Sequence, residues 1–178
     1  AHGLLQESLE RGAREAGRWA ALNRTCAQML ETIYDEQELG LAERVAWHWI
    51  EAGEPARALE PLSLAIDLGV ERSDFEHAED LIAWRDEICE PGDVFWLLKG
   101  KVDRARVAGR RGAYQRCAEI AEEAAREAQA EGMVHVAAQA MVWAGLGFRA
   151  IGSLKRAEEF LSRAGKFFAN QGEKQLMA

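Results

Sequence analysis

A short step recurs along this chain: a glycine, then an alanine or cysteine five positions on. It reads Gly53-Glu54-Pro55-Ala56-Arg57-Ala58, Gly112-Ala113-Tyr114-Gln115-Arg116-Cys117 and Gly152-Ser153-Leu154-Lys155-Arg156-Ala157. A degenerate copy, Ser73-Asp74-Phe75-Glu76-His77-Ala78, lies between the first two. The small residues at 78, 117 and 157 are spaced by 39 and 40 residues. A fixed period of that size in helical sequence is the signature of stacked helical hairpins. Each hairpin buries its apolar face only against its neighbours, and such arrays build extended surfaces that hold partners.

The remaining residues agree with helices from end to end. Only Pro55, Pro61 and Pro91 interrupt 178 residues, and Ala, Glu, Leu and Arg, all good helix formers, dominate. Apolar residues at 48% and charged residues at 29% place the chain outside the disordered class. No run reaches the roughly 18 to 20 apolar residues of a membrane span. A net charge of -8 disfavours bulk nucleic-acid binding and leads us to expect a cytoplasmic protein. Cys26, Cys89 and Cys117 are odd in number and far apart, so we expect buried free thiols in a reducing compartment.

Hydrophobic periodicity predicts an amphipathic helix over 18–34, a turn at Asp35-Glu36 and a second helix over 39–52. Gly53 is placed as a C-terminal stop, and Pro55 suits the first turn of the next helix, which ends near Gly69. Asp74 opens a helix through Ile88. Glu90-Pro91-Gly92-Asp93 is the clearest break, with Asp93 able to cap the next helix. Helices over 94–110 and 114–130 form the next hairpin, and 133–150 and 154–170 the last. The expected fold is an all-α solenoid of about four antiparallel hairpins.

Aligning Ala58 with Ala157 pairs Ala46 with Gly145, Trp49 with Phe148, Leu62 with Leu161 and Ala65 with Ala164. This small–aromatic–turn–small order resembles the tetratricopeptide repeat, with a period nearer 40 than the usual 34. A second resemblance covers roughly the first half. His2-Gly3-Leu4-Leu5-Gln6-Glu7-Ser8, Arg18-Trp19-Ala20-Ala21-Leu22-Asn23, Leu41-Ala42-Glu43-Arg44-Val45-Ala46-Trp47-His48-Trp49 and Ala52-Gly53-Glu54-Pro55-Ala56-Arg57-Ala58-Leu59 carry it. Together they resemble the junction, in bacterial STAND-type signalling ATPases, between a winged-helix segment and a helical-repeat sensor. Related tails occur on bacterial Ser/Thr kinases, adenylate cyclases and LuxR-type regulators. The chain departs from that pattern at Trp47 and Trp49. The resemblance implies that residues 1–17 end an upstream segment, 18–172 form the repeats, and 173–178 begin a further helix. It also implies an NTPase or kinase domain upstream in the same polypeptide.

Motifs for chemistry are missing. The sequence holds no Gly-x-x-x-x-Gly-Lys-[Ser/Thr] loop and no Gly-x-Gly-x-x-Gly, and Gly145-Leu146-Gly147 lies mid-helix, where it suits close helix packing. His2, His48, His77 and His135 have no partner at metal-ligand spacing. No enzyme activity and no cofactor are expected.

Charge is uneven, however. Lys99, Lys101, Arg104, Arg106, Arg110, Arg111 and Arg116 crowd one stretch against Asp103 alone, and the following helix is acidic. Adjacent helices pairing opposite charges would account for this. Alternatively, the first helix of each hairpin lines a concave groove, and Lys99, Arg106 and Arg110, joined by Gln139 and Arg149, bind an acidic or phosphorylated peptide. Trp47, turned well away from the packing position of Trp49, is the candidate contact outside that groove. The function expected is a protein- or peptide-binding sensor domain, with a structural spacer or self-association through the terminal hairpins as the alternative.

Overall fold

The computed structural model describes residues 2–32 and 39–176. The turn expected at Asp35-Glu36, the helix end at Ile33 and Tyr34, and Met177 lie outside the described residues. The helices are α1 (His2–Glu15), α2 (Trp19–Thr32), α3 (Leu39–Glu51), α4 (Leu59–Glu71), α5 (Phe75–Ile88), α6 (Val94–Arg110), α7 (Tyr114–Ala130), α8 (Val134–Ala150) and α9 (Leu154–Leu176). A 3-10 turn over Pro55–Ala58 leads into α4. Helix α9 continues through Leu176, so residues 173–176 prolong it. The fold is an all-α solenoid.

One turn is used again and again. After α6 the Gly112 N–H bonds to the Gly109 carbonyl and the Ala113 N–H to that of Ala108, a Schellman closure with Gly112 at φ 84°. The same pair of bonds and a positive φ recur at 17, 53, 73, 132 and 152. Helices α6, α7 and α8 each have 17 residues. With three turn residues between them, a helix plus its turn spans 20 residues and a hairpin 40. That is why the period exceeds 34: these helices are longer, and the architecture is unchanged.

Spacing of 20 also corrects the sequence alignment. Helix α3, aligned with α8 through Ala58 and Ala157, lies five helices before it, and an odd count puts the two on opposite rows. Among the described residues α6 comes close to α4 and to α8 along the backbone, while α5 and α7, or α7 and α9, do not approach in this way. Helix α9 meets α7 through long side chains, Arg156 to Glu122 and Arg163 to Gln129. Helices α4, α6 and α8 are therefore the closely spaced inner row, and the array bends toward them. The Ala58–Ala157 match is a match of one helix–turn–helix, not of the 40-residue repeat.

Small residues set the spacing of the helices. A Cβ on Gly147 would lie 2.8 Å from the Ala118 backbone nitrogen, and one on Gly145 2.6 Å from Leu161. Helix α8 thus presses on α7 and α9 through Gly147 and Gly145, as the mid-helix position of this pair suggested. Helix α7 answers with Cys117, Ala118, Ala121, Ala124, Ala125 and Ala128, all buried. Two apolar clusters result. One joins Ala27, Trp49, Leu62, Ile66 and Ile82 of α2–α5 with Val107; the other joins Leu98, Val102, Met141, Phe148 and Phe160 of α6–α9 with the α7 alanines.

Several expectations are corrected by the packing. Only Cys117 is buried; Cys89 is half-buried and Cys26 exposed. Burial raises the Cys117 thiol to about 11, so it is protonated and inert at neutral pH. Among the tryptophans, Trp49 is fully buried, and Trp19, Trp84 and Trp143 are half-buried. Asp93 does not cap α6; its carboxylate turns back to the Glu90 N–H at 2.9 Å. Asp74 does cap α5, accepting from the His77 N–H.

Candidate functional site

The inner row encloses a groove of about 610 Å3. Helix α4 supplies Leu64, Asp67, Leu68 and Glu71, α6 supplies Lys99, Val102, Asp103 and Arg106, α8 supplies Gln139, Val142 and Trp143, and α9 adds Phe168. An i, i+3, i+4, i+7 pattern on α4 and α6 puts each set on one helix face. A second cavity of about 460 Å3 shares Leu64 and extends along α2–α4 to Glu31, Arg57, Pro61 and Trp96. The two cavities meet at Leu64.

Charge in the groove is organised by Asp103, which is 2% exposed. Its carboxylate meets Arg85 Nη2 at 2.8 Å, Arg106 Nη2 at 3.3 Å and Lys99 Nζ at 3.4 Å. Arg106 also reaches across to Asp67 of α4 at 2.5 Å. Arg85 is fully buried, and its Nε and Nη1 have no hydrogen-bond partner among the described residues. A buried ion cluster of this kind stands or falls with its partners: removing one leaves the others charged and desolvated.

Of the residues singled out in the sequence, Lys99, Arg106 and Gln139 share this groove. Arg110 and Arg149 do not line it; both lie in the last turns of α6 and α8, at the rim of the array. Ten residues along a helix turn Arg149 roughly 80° from Gln139. The groove is also not basic: Lys99 and Arg106 face Asp67, Glu71 and Asp103. Lys101 points instead to the acidic α7, meeting Glu127 at 2.7 Å and Glu123 at 3.1 Å. Burial opposes its charge, but the hydrogen bonds to Glu127 and Glu123 hold its pKa above the ordinary lysine value. Part of the basic stretch therefore does pair with the helix after it.

Trp47 stands on α3, 40% exposed, packed edge-on against Trp19 with ring centroids 6.3 Å apart. Trp19 is held by its Nε1–H on Glu51 and by Arg14, 4.2 Å above its ring. Beside them the His48 Nδ1–H donates to Asn23 Oδ1 at 2.7 Å, and Asn23 Nδ2 donates to the Trp19 carbonyl. Burial, then Arg44, lowers the His48 pKa, so its ring is neutral at pH 7. Sequence reasoning missed Arg85 and Asp67, whose partners lie 18 and 39 positions away; Asp103, three or four residues from Lys99 and Arg106, was open to an intrahelical ion-pair reading. Among the described residues no cluster of His, Cys, Asp and Glu could hold a metal ion, and no helix is long and apolar enough to cross a membrane.

No protein-family model and no curated protein matches the chain. Solved structures do. A putative kinesin light chain of Podosopora anserina, described by its nearly identical TPR-like repeats, is 15% identical and has a TM-score of 0.44, with 93% of this chain and 94% of that one covered. A glutamine-to-methionine variant of that protein is 15% identical at a TM-score of 0.46, with coverage of 94% and 95%.

Proposed function

We propose that this chain is a peptide-binding repeat module whose inner groove holds an extended segment of a partner protein. One observation carries the reading: a groove of about 610 Å3 sets an apolar wall beside two cations whose counter-ions are already in place. Asp67 is the accessible member of that set, with 40% of its side chain exposed. An ion pair at such a position contributes little net stability. A partner's carboxylate or phosphate can therefore replace Asp67 on Arg106, whose guanidinium offers two parallel hydrogen bonds. An apolar side chain of the same segment then lies against Val142, Trp143 and Phe168. Lys99, Arg106 and Gln139 are the groove contacts in this reading, and Trp47 is a separate one on α3.

The module acts by binding, not by chemistry. In a longer polypeptide, a segment bridging α4, α6 and α8 favours one curvature of the array and passes that preference on. The resemblance at residues 2–8, 18–23, 41–49 and 52–59 supports a sensor role beside an upstream NTPase or kinase domain. A test passes acidic, phosphorylated, neutral and basic peptide pools over the immobilised protein, beside an Arg106→Glu variant of unchanged circular dichroism. Acidic peptides are expected on the parent, with roughly tenfold weaker retention on the variant. Equal retention by both proteins, or a preference for basic peptides, overturns the reading. Leu9, Leu22 and Met29, exposed on α1 and α2, favour self-association as a second reading, for which light scattering on a Leu22→Glu/Met29→Glu variant should report a smaller particle than the parent.

A further inference from the structure

The basic stretch has a second face. Lys99 and Arg106 turn inward and Lys101 turns to α7, whereas Arg104, Arg111 and Arg116 gather on the outer side. There they line a cavity of about 290 Å3 with Glu79 and three alanines, 83, 108 and 113. Three guanidinium groups against one carboxylate leave the cavity lining two charges positive, in a chain whose net charge is -8. Arg111 is held by Glu79 at 3.0 Å and Arg104 by Asp86 at 2.7 Å. No ion pair engages Arg116 among the described residues.

We propose that this outer cavity binds phosphate, as the phosphate monoester of a phosphorylated side chain on a partner protein. A phosphomonoester carries about 1.5 to 2 negative charges at pH 7. With Asp86 on Arg104, the site matches it once Glu79 is displaced, leaving Arg111 and Arg116 to the phosphate. Each guanidinium can grip two phosphate oxygens, and three of them surround one group better than any carboxylate could use them. Glu79, 45% exposed, is the internal anion that the phosphate displaces from Arg111. The alanine lining keeps the cavity open to the first turn of α7, where Ala113 has no side chain to cap the free N–H groups. That helix end adds a favourable field; the three arginines make the site. A nucleic-acid strand fits less well, because Glu76, Glu119 and Glu122 are carried on the two bounding helices and repel a run of phosphates. The site faces away from the inner groove and stands independently of the peptide reading.

Phenyl phosphate and inorganic phosphate are titrated into the full chain, with the arginine Nε–H signals followed by NMR. A phosphoserine peptide pool is then compared with its unphosphorylated counterpart. We expect both small phosphates to move the signals of Arg104, Arg111 and Arg116, and phosphopeptides to bind roughly tenfold tighter than the unphosphorylated pool. These comparisons are made in an Arg106→Gln background of unchanged circular dichroism, which removes the groove's own anion contact. There Arg111→Gln/Arg116→Gln should remove the remaining preference, and Glu79→Gln should strengthen it. The proposal is overturned if phosphate leaves these signals unmoved, if no preference remains in the Arg106→Gln background, or if the added double substitution leaves that preference unchanged. Response to the small phosphates without any phosphopeptide preference rejects a protein partner, and stronger competition by a single-stranded oligonucleotide assigns the cavity to nucleic acid.

Discussion

Ser73 occupies a position that glycine fills in the other five turns of this type, at φ 62°. A side chain in the left-handed region costs about 1 kcal/mol relative to glycine. Ser73→Gly is therefore expected to raise stability by about that amount in urea denaturation, with an unchanged slope. Two histidines respond to pH with opposite signs. The hydrogen bond from His77 Nε2 to Glu43, at 2.7 Å, is the main cause that raises its pKa. Its contribution is complete below the unfolded value near 6.5 and fades as pH rises through the folded value. His48 is lowered by burial, so its neutral ring contributes above the unfolded value, and that part is lost as pH falls through the same region. Chemical denaturation across about pH 5 to 8 should show His77→Gln flattening the alkaline side and His48→Gln the acid side; identical profiles in both variants would contradict the assignment.

At the scale of elements, α8 is the tightly held member of the array. Gly147 meets the backbone of α7, which cannot yield as the end of a flexible side chain can. Gly147→Ala should cost about 1 to 3 kcal/mol despite the better helix propensity of alanine. Gly165, with open space around its Cβ position, is the control: Gly165→Ala on α9 should be stabilising by up to about 1 kcal/mol. Thermal melts of the two variants moving in the same direction would sink this account of why glycine stands at 147.

Across the whole molecule, the ion cluster at Asp103 lies where the two apolar clusters meet, on the seam of α4, α5 and α6. Asp103→Leu alone leaves Arg85 buried without its counter-ion, and we expect a loss of about 3 to 5 kcal/mol. Arg85→Met in the same chain should recover most of it, because the pair is then replaced by packing apolar groups. Denaturant titration of the four proteins gives the coupling directly; additive losses would mean that the two side chains act independently.

Local chemistry settled the part of the fold that was legible beforehand. Turn positions come from glycine in the left-handed region, helix lengths from the residues between turns, and the period from their sum, so α6, α7, α8 and the start of α9 were predicted to within a residue. Gly145 and Gly147 of α8 likewise announced close packing. Row assignment was not legible, because a helix–turn–helix copy looks alike in either phase, and only packing between helices two apart tells inner from outer. For the same reason the seven cations from Lys99 to Arg116 read as one basic stripe. A helix turns its residues through about 100° per step, so the folded array sends six of them to the groove, to α7 and to the outer cavity and leaves Arg110 at the rim. Which stay charged and free depends on Asp67, Glu79, Asp86 and Glu127, residues that only the tertiary structure brings beside them.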